Sequence, residues 1–217
     1  NDAAEVGMYE PPHFIEDRTE VMHDLIRAHP LGLLACNGED GPVANPVPFL
    51  LDVSGEAIVL RAHLARANAQ WKLLENAGTA LVVFRGEQAY VTPSWYASKA
   101  EHGKVVPTWN YCIVQARGTV SIHDDPAWLA RQAGTLTDTQ ESGRTQPWAM
   151  TDAPERFVET QLRAIIGVEM RVRELQGKWK VSQNRPVADR AGVAAGMAGE
   201  DGAMAELVRR YGLPGSG

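Results

Sequence analysis

The segment Arg61-Ala62-His63-Leu64-Ala65-Arg66-Ala67-Asn68-Ala69-Gln70-Trp71 holds the residue types that a phosphate dianion needs. Two arginines and a histidine lead from a strand end into a helix start. Guanidinium forks and unpaired backbone N–H groups therefore fall close together. The same residues also suit a solvated charged turn with Asn68 as its cap, and spacing alone leaves both readings open. A second constellation is aromatic: Thr92-Pro93-Ser94-Trp95-Tyr96 and Pro107-Thr108-Trp109-Asn110-Tyr111 flank a polar stretch, 98–104, that carries Lys99, Glu101 and Lys104. Two Trp–Tyr clusters beside a mobile polar loop can wall a flat ring ligand, or pack as core and interface. A third is basic: from Arg171 to Arg190 there are six basic residues against two acidic ones. On a strand, Lys178 and Lys180 of that run share one face and Trp179 takes the other. They can meet a cofactor phosphate, an acidic partner or water alone.

Other chemistries find little support. His13, His23, His29, His63, His102 and His123 are scattered, and no HExxH or Cys/His cluster gathers metal ligands. GxSxG, GxGxxG and P-loop patterns are absent. Cys36 and Cys112 each sit among apolar residues, as buried thiols of a reducing compartment do. Twenty-one basic against 27 acidic residues give a net charge of −6 over 217 residues, which argues against a dedicated nucleic-acid binder. The longest apolar runs fall far below the ~20 residues that span a bilayer, and the acidic start lacks a secretory pattern, so a cytoplasmic location is expected.

The elements that must position these residues read as short strands in meander order with helices in the connections. Residues 1–7 read as a cloning scar and 8–14 as an irregular entry. A helix is expected over 17–29, then strands at Gly32–Cys36, Val43–Asp52 and Ala57–Ala62, the second broken by Pro46 and Pro48 as at a sheet edge. A short helix over 66–76 buries Trp71 and Leu74. Strands follow at 79–85, 88–93 and Thr108–Ile122. Asp124-Asp125-Pro126 opens a helix, Asp152-Ala153-Pro154-Glu155 another. Gly167–Leu175 alternates as a half-buried strand, and Gln176-Gly177 turns it back as a hairpin into Lys178–Val181. One domain is expected over 8–185, then an Ala/Gly-rich extension, 186–217, with one helix near Glu200–Tyr211. The pattern favours an antiparallel barrel with peripheral helices over a βαβ sheet.

Six motifs in order closely resemble the PaiB-type family of FMN-binding negative transcriptional regulators. They are Met8-Tyr9 to His13-Phe14; Ala44-Asn45 with Pro48-Phe49; His63 to Trp71; Val91 to Tyr96; Val106 to Tyr111; and Gly177 to Arg185. The resemblance spans about residues 8–197. It implies a mainly β fold with peripheral helices, the antiparallel split β-barrel of the pyridoxamine-phosphate-oxidase superfamily, as a homodimer with FMN in the dimer cleft. His63, Arg66 and Asn68 match the family's phosphate turn, and Arg61 and Gln70 join them by position. Asn45 and Val47 would lie along the strand that backs the flavin ring. Trp95, Tyr96, Lys99 and Trp109 would come from the cleft wall, across the dimer.

The sequence departs from the family at two points: Pro46 and Val47 stand where a histidine is usual, and so does Gln115 after the Trp-Asn-Tyr strand. Three functions follow from the resemblance and the residues. The first is an FMN-binding regulator; no helix-turn-helix pattern speaks for direct DNA contact, and action through another protein or a small metabolite fits equally well. The second is a flavin-dependent oxidoreductase, for which the flavin carries the chemistry and no conspicuous dyad is needed. The third is a barrel that binds another flat ligand, haem or deazaflavin F420, with His13, His63 and His102 the remaining histidines for an axial role. No catalytic residue and no metal ligand is assigned.

Overall fold

The structure is a computed structural model that describes residues 7–55 and 57–213. The sequence expectation of a scar over 1–7 lies, Gly7 apart, outside the described residues. In chain order the elements are β1 (Ile15–Glu16), α1 (Thr19–Ala28), β2 (Leu31–Gly38), β3 (Gly41–Pro48), β4 (Leu50–Asp52) and β5 (Val59–Ala65). Then come α2 (Gln70–Ala77), β6 (Thr79–Val91), α3 (Ser98–His102), β7 (Thr108–His123) and α4 (Pro126–Glu141). The chain ends with α5 (Glu155–Arg163), β8 (Ile165–Lys180), α6 (Val187–Met197) and α7 (Gly202–Gly212).

The strands order as β3-β2-β6-β7-β8-β5-β4, with β1 beside β8. Every registered pair is antiparallel, as a meander of short connections requires. Pro46 and Pro48 fall on β3 at the edge of this order, where a missing N–H costs no ladder bond. The chain gathers into two compact units. One takes the segments up to Leu25, Arg85–Val114 and Gln176 onward; the other takes Ile26–Phe84 and Gln115–Leu175.

In the second unit the strands alternate. Leu60, Ala62 and Leu64 of β5 are buried with Leu34, Val82, Phe84, Ile166 and Met170, while Arg61 and His63 point the other way, half-exposed. Each large apolar side chain so buried contributes roughly 1.5–3 kcal/mol. In the first unit Val91, Val114, Val181, Val193, Met197, Met204 and Val208 form the corresponding core.

The expected helices over 17–29, after Asp125 and before Arg163 are all present. Asp125 caps α4 by accepting the N–H groups of Ala127 and Trp128. Four expectations change. Residues 79–85 and 88–91 fall on one strand, β6, which runs on through Gly86 and Glu87 without a turn. The 98–104 stretch is a turn of helix, α3, with the Ser98 hydroxyl and N–H both given to Asp189. Gln176-Gly177 is no hairpin: β8 runs on to Lys180, and Gly177 pairs with Glu16 of β1. A Cβ at Gly177 would meet the Glu16 carbonyl and Met22 sulfur at 2.7 Å, so this glycine serves close approach rather than a turn. Finally, the tail after Pro186 holds two helices. α6 lacks a strong apolar period but buries Val193, Ala194 and Met197, since small residues let α7 and the Pro93–Trp95 turn come close.

Candidate functional site

The phosphate-type residues lie along the outward face of β5 and the turn after it. Arg61 stands opposite Glu169 of β8 and donates to it from Nε at 2.7 Å; its Nη1 donates to Asp52 at 2.5 Å. Burial alone would lower the Arg61 pKa, but the two carboxylates outweigh it and raise it. Asp52 is held well below the usual carboxylate range by the Ser54 hydroxyl and N–H and by Arg61. Two residues on, His63 Nδ1 lies 2.6 Å from Gln132 Oε1 of α4.

Arg66 follows the end of β5. Its Nε donates to the Arg163 carbonyl at 3.0 Å and its Nη2 to the Ile165 carbonyl at 2.9 Å. The same guanidinium forks onto Asp124, with Nη1 to Oδ2 at 2.9 Å and Nη2 to Oδ1. Those bonds hold Asp124 below its ordinary value. Trp71 Nε1 closes the turn by donating to the Arg66 carbonyl at 3.0 Å. Asn68 Oδ1 accepts the Gln70 N–H at 3.0 Å, so α2 starts at Gln70, later than the expected 66.

Asn45 and Gln70 come together, Asn45 Nδ2 donating to Gln70 Oε1 at 2.9 Å. Gln70 is buried and its Nε2 donates to the Leu34 carbonyl at 2.8 Å, tying α2 to the β2–β3 hairpin. Val47 is buried. Of the positions that depart from the family, Pro46 sits on edge strand β3 and Gln115 accepts from Arg117 at 3.0 Å.

Trp95, Tyr96, Lys99 and Trp109 belong to the other unit. The Trp95 ring packs over α6 at Gly196. Tyr96 is buried beneath the Arg185 guanidinium, 4.8 Å from its ring centre. Lys99 is exposed and reaches Ser94 Oγ at 3.3 Å. Trp109 is 56% exposed and meets Tyr90 edge-on. Nearby, Lys178 Nζ donates to the Tyr9 carbonyl at 2.7 Å, and Lys180 Nζ to Thr108 Oγ1 at 2.6 Å and to the Trp109 carbonyl. Burial and the cations Arg185 and Lys178 push the Lys180 pKa down.

The sequence reading misses the carboxylates that hold its arginines, Asp52, Glu169 and Asp124, and the amide that meets His63. Asp124 reads locally as a helix opener, and nothing in its neighbourhood points to Arg66. Among the described residues no group of three or more potential metal ligands converges, and no helix is long and apolar enough to cross a membrane. The β5–α2 turn can orient an anion and donate to it; it carries no nucleophile–base pair.

The family model described as "Putative FMN-binding domain" matches residues 8–174. An uncharacterized protein of Aspergillus fumigatus is 34% identical, over 83% of this chain and 87% of its own length. Protease synthase and sporulation protein PAI 2 of Bacillus subtilis is 27% identical, over 93% and 96%. Among solved structures, an FAD and heme binding protein from Mycobacterium smegmatis superposes with a TM-score of 0.56 at 20% identity, covering 76% of this chain and 73% of that one. At that identity the match speaks for the fold, which is the antiparallel split barrel with peripheral helices. With more than half its length matched by the model, the chain belongs to the "Putative FMN-binding domain" family, the PaiB-type group whose cofactor is FMN.

Proposed function

We propose that this chain binds FMN with the flavin phosphate at the β5–α2 turn, and that it acts as a homodimer in regulation, as the PaiB-type resemblance implies. Arg66 carries the reading. Two backbone carbonyls fix its guanidinium, and its fork faces Asp124, whose side chain is 63% exposed and so open to exchange. A guanidinium held in this way suits a phosphate ester, which offers the same bidentate geometry as the carboxylate. The donor set around it, an imidazole and a short polar amide beside two arginines, fits that group. His63 and Asn68 would stand beside Arg66, and Arg61 would contribute charge from behind its two carboxylates. Asn45 and Val47 would border the ring, Gln70 would brace Asn45, and Trp95, Tyr96, Lys99 and Trp109 would form the wall supplied across the dimer.

FMN, when bound, supplies hydride and electron transfer. The chain's own part is to fix positive charge at the phosphate and to hold the turn rigid through Trp71 and Asn68.

The test is an absorption spectrum of the purified protein during FMN titration, with light scattering and an NAD(P)H oxidation assay on the same sample. Saturable FMN binding by a dimer without steady NAD(P)H oxidation is the expected result. Steady oxidation would make the protein a flavin-dependent oxidoreductase. A folded protein that takes up no FMN would overturn the reading.

A further inference from the structure

Helix α4 lies over the outward face of β5, and the two border an open cavity of about 400 Å³ in the second unit. Leu50 and Trp128 give it apolar walls, and Arg61 with Glu169 closes one side. Arg131, Gln132 and Thr135 of α4 complete it. Trp128 is firmly seated. It stacks on His123 with ring centres 4.4 Å apart and planes 3° from parallel. It also covers Gly167, where a Cβ would fall inside the ring.

Two features of this cavity are unexplained by the fold. Gln132 is 4% exposed and accepts at Oε1 from His63 Nδ1, yet its Nε2 is buried with no hydrogen-bond partner among the described residues. A buried amide N–H left unmade costs roughly 1–3 kcal/mol, so such atoms are rare unless a ligand or water completes them. Beside it His123 Nε2 is also buried without a hydrogen bond, 3.9 Å from Glu169 Oε1. Second, Arg61 and Arg66 are each held by a carboxylate. Arg61 has Asp52 and Glu169, and Arg66 has Asp124. Arg131, at the rim, makes no ion pair among the described residues.

We propose that this cavity is a binding site for a small organic carboxylate with an apolar body, held by the Arg131 guanidinium, the Gln132 amide and the Thr135 hydroxyl. The Arg131 guanidinium makes no ion pair among the described residues and so can take one carboxylate, whereas Arg61 is already matched by Asp52 and Glu169. Glu169 in the wall repels a phosphate dianion more strongly than a monoanion. Leu50 and the Trp128 ring offer the body a surface, and the volume lies in the range of small-molecule sites. An adjoining cavity of about 490 Å³, which shares Leu50, Arg61 and Thr135, leaves room for a longer body.

This inference goes beyond the flavin reading and does not rest on it, although the two share Arg61. The test is fluorine NMR of para-fluorobenzoate against the full chain, with para-fluorophenyl phosphate as the comparison probe. Saturable broadening of the benzoate signal is expected. Arg131→Ala, at an exposed position, and Gln132→Leu should each weaken it at least about tenfold. Arg131→Ala should leave FMN affinity unchanged. Absence of saturable binding, or binding indifferent to both variants, would overturn the site. Tighter binding of the phosphate probe would overturn the ligand class. Displacement of the benzoate by FMN, together with weaker FMN binding by Arg131→Ala, would show that the cavity belongs to the flavin. Failure of FMN to bind, with the benzoate result intact, would reject only the flavin reading.

Discussion

In the proposed flavin site, Arg66 and Asp124 form a pair that the phosphate would have to open. The pair is exposed, so its own contribution to stability is small, but the guanidinium it orients is the strongest donor in the turn. Arg66→Ala should weaken FMN binding by roughly ten- to a hundredfold, the loss expected when a charge-assisted hydrogen bond disappears. Asp124→Asn should do the opposite: it removes the competing carboxylate while the carbonyls of Arg163 and Ile165 still hold the guanidinium. FMN titration of both variants by fluorescence quenching checks the pair. Equal weakening in the two would mean that Asp124 organises the site rather than competing for it. Arg66 is visible in the sequence because its neighbours His63 and Asn68 are local to it. Asp124 is not, since it stands 58 residues away and its own surroundings spell a helix start. Gln132 is hidden for the same reason: only the docking of α4 on β5 brings it to His63.

At the scale of elements, docking depends on small residues inside strands, where a neighbouring element comes close. Gly167 lies within β8, and Trp128 of α4 fills the space above it. Gly167→Ala should destabilise the protein by about 1–3 kcal/mol, the usual cost of overpacking, with loss of the near-ultraviolet signal of Trp128 before the global transition; an unchanged urea midpoint would mean that α4 is not fastened there. The tail is fastened by chemistry instead. Tyr211 of α7 donates to Glu16 Oε2 at 2.6 Å, and Arg18 donates to both. Burial alone would raise the Glu16 carboxyl, but hydrogen bonds from Arg18 and Tyr211 outweigh it and hold the group below its ordinary value of 4.5. A depressed carboxylate stabilises the fold fully above that value and loses its contribution as pH falls through the lower folded one. Tyr211→Phe should cost about 1 kcal/mol at neutral pH, and the deficit should shrink below pH ~4 as the wild type loses the same contact. Strands and capped helices were legible because alternation and caps are local. The run-on of β8, the folding of 98–104 and helix α6 were not, because each depends on a partner remote in sequence: Glu16 at Gly177, Asp189 at Ser98, and Trp95 over α6.

For the whole molecule the open question is assembly. On the outward face of β2, Leu31 and Leu33 are 63% and 42% exposed. Register places Pro46 of β3 and Val83 of β6 on either side of Leu33, and Ala44 and Leu81 on either side of Ala35. A contiguous apolar face of this kind is unusual on a monomer and typical of a surface that meets another protein. A second copy is the occupant that the homodimer reading requires. Light scattering should therefore give about twice the 23.7 kDa of one chain. Leu33→Glu, at a position that faces outward and not the core, should return the monomer without unfolding it, because a carboxylate there meets water in one state and apolar surface in the other. The flavin reading then sharpens the outcome. If the cleft is shared between copies, the Leu33→Glu monomer should lose FMN affinity together with its partner. A monomer that keeps full affinity would place the whole flavin site within one chain and remove the wall of Trp95, Tyr96, Lys99 and Trp109 from across the dimer. A Leu33→Glu protein that stays dimeric would move the interface to another face and leave the β2 surface without its assigned role.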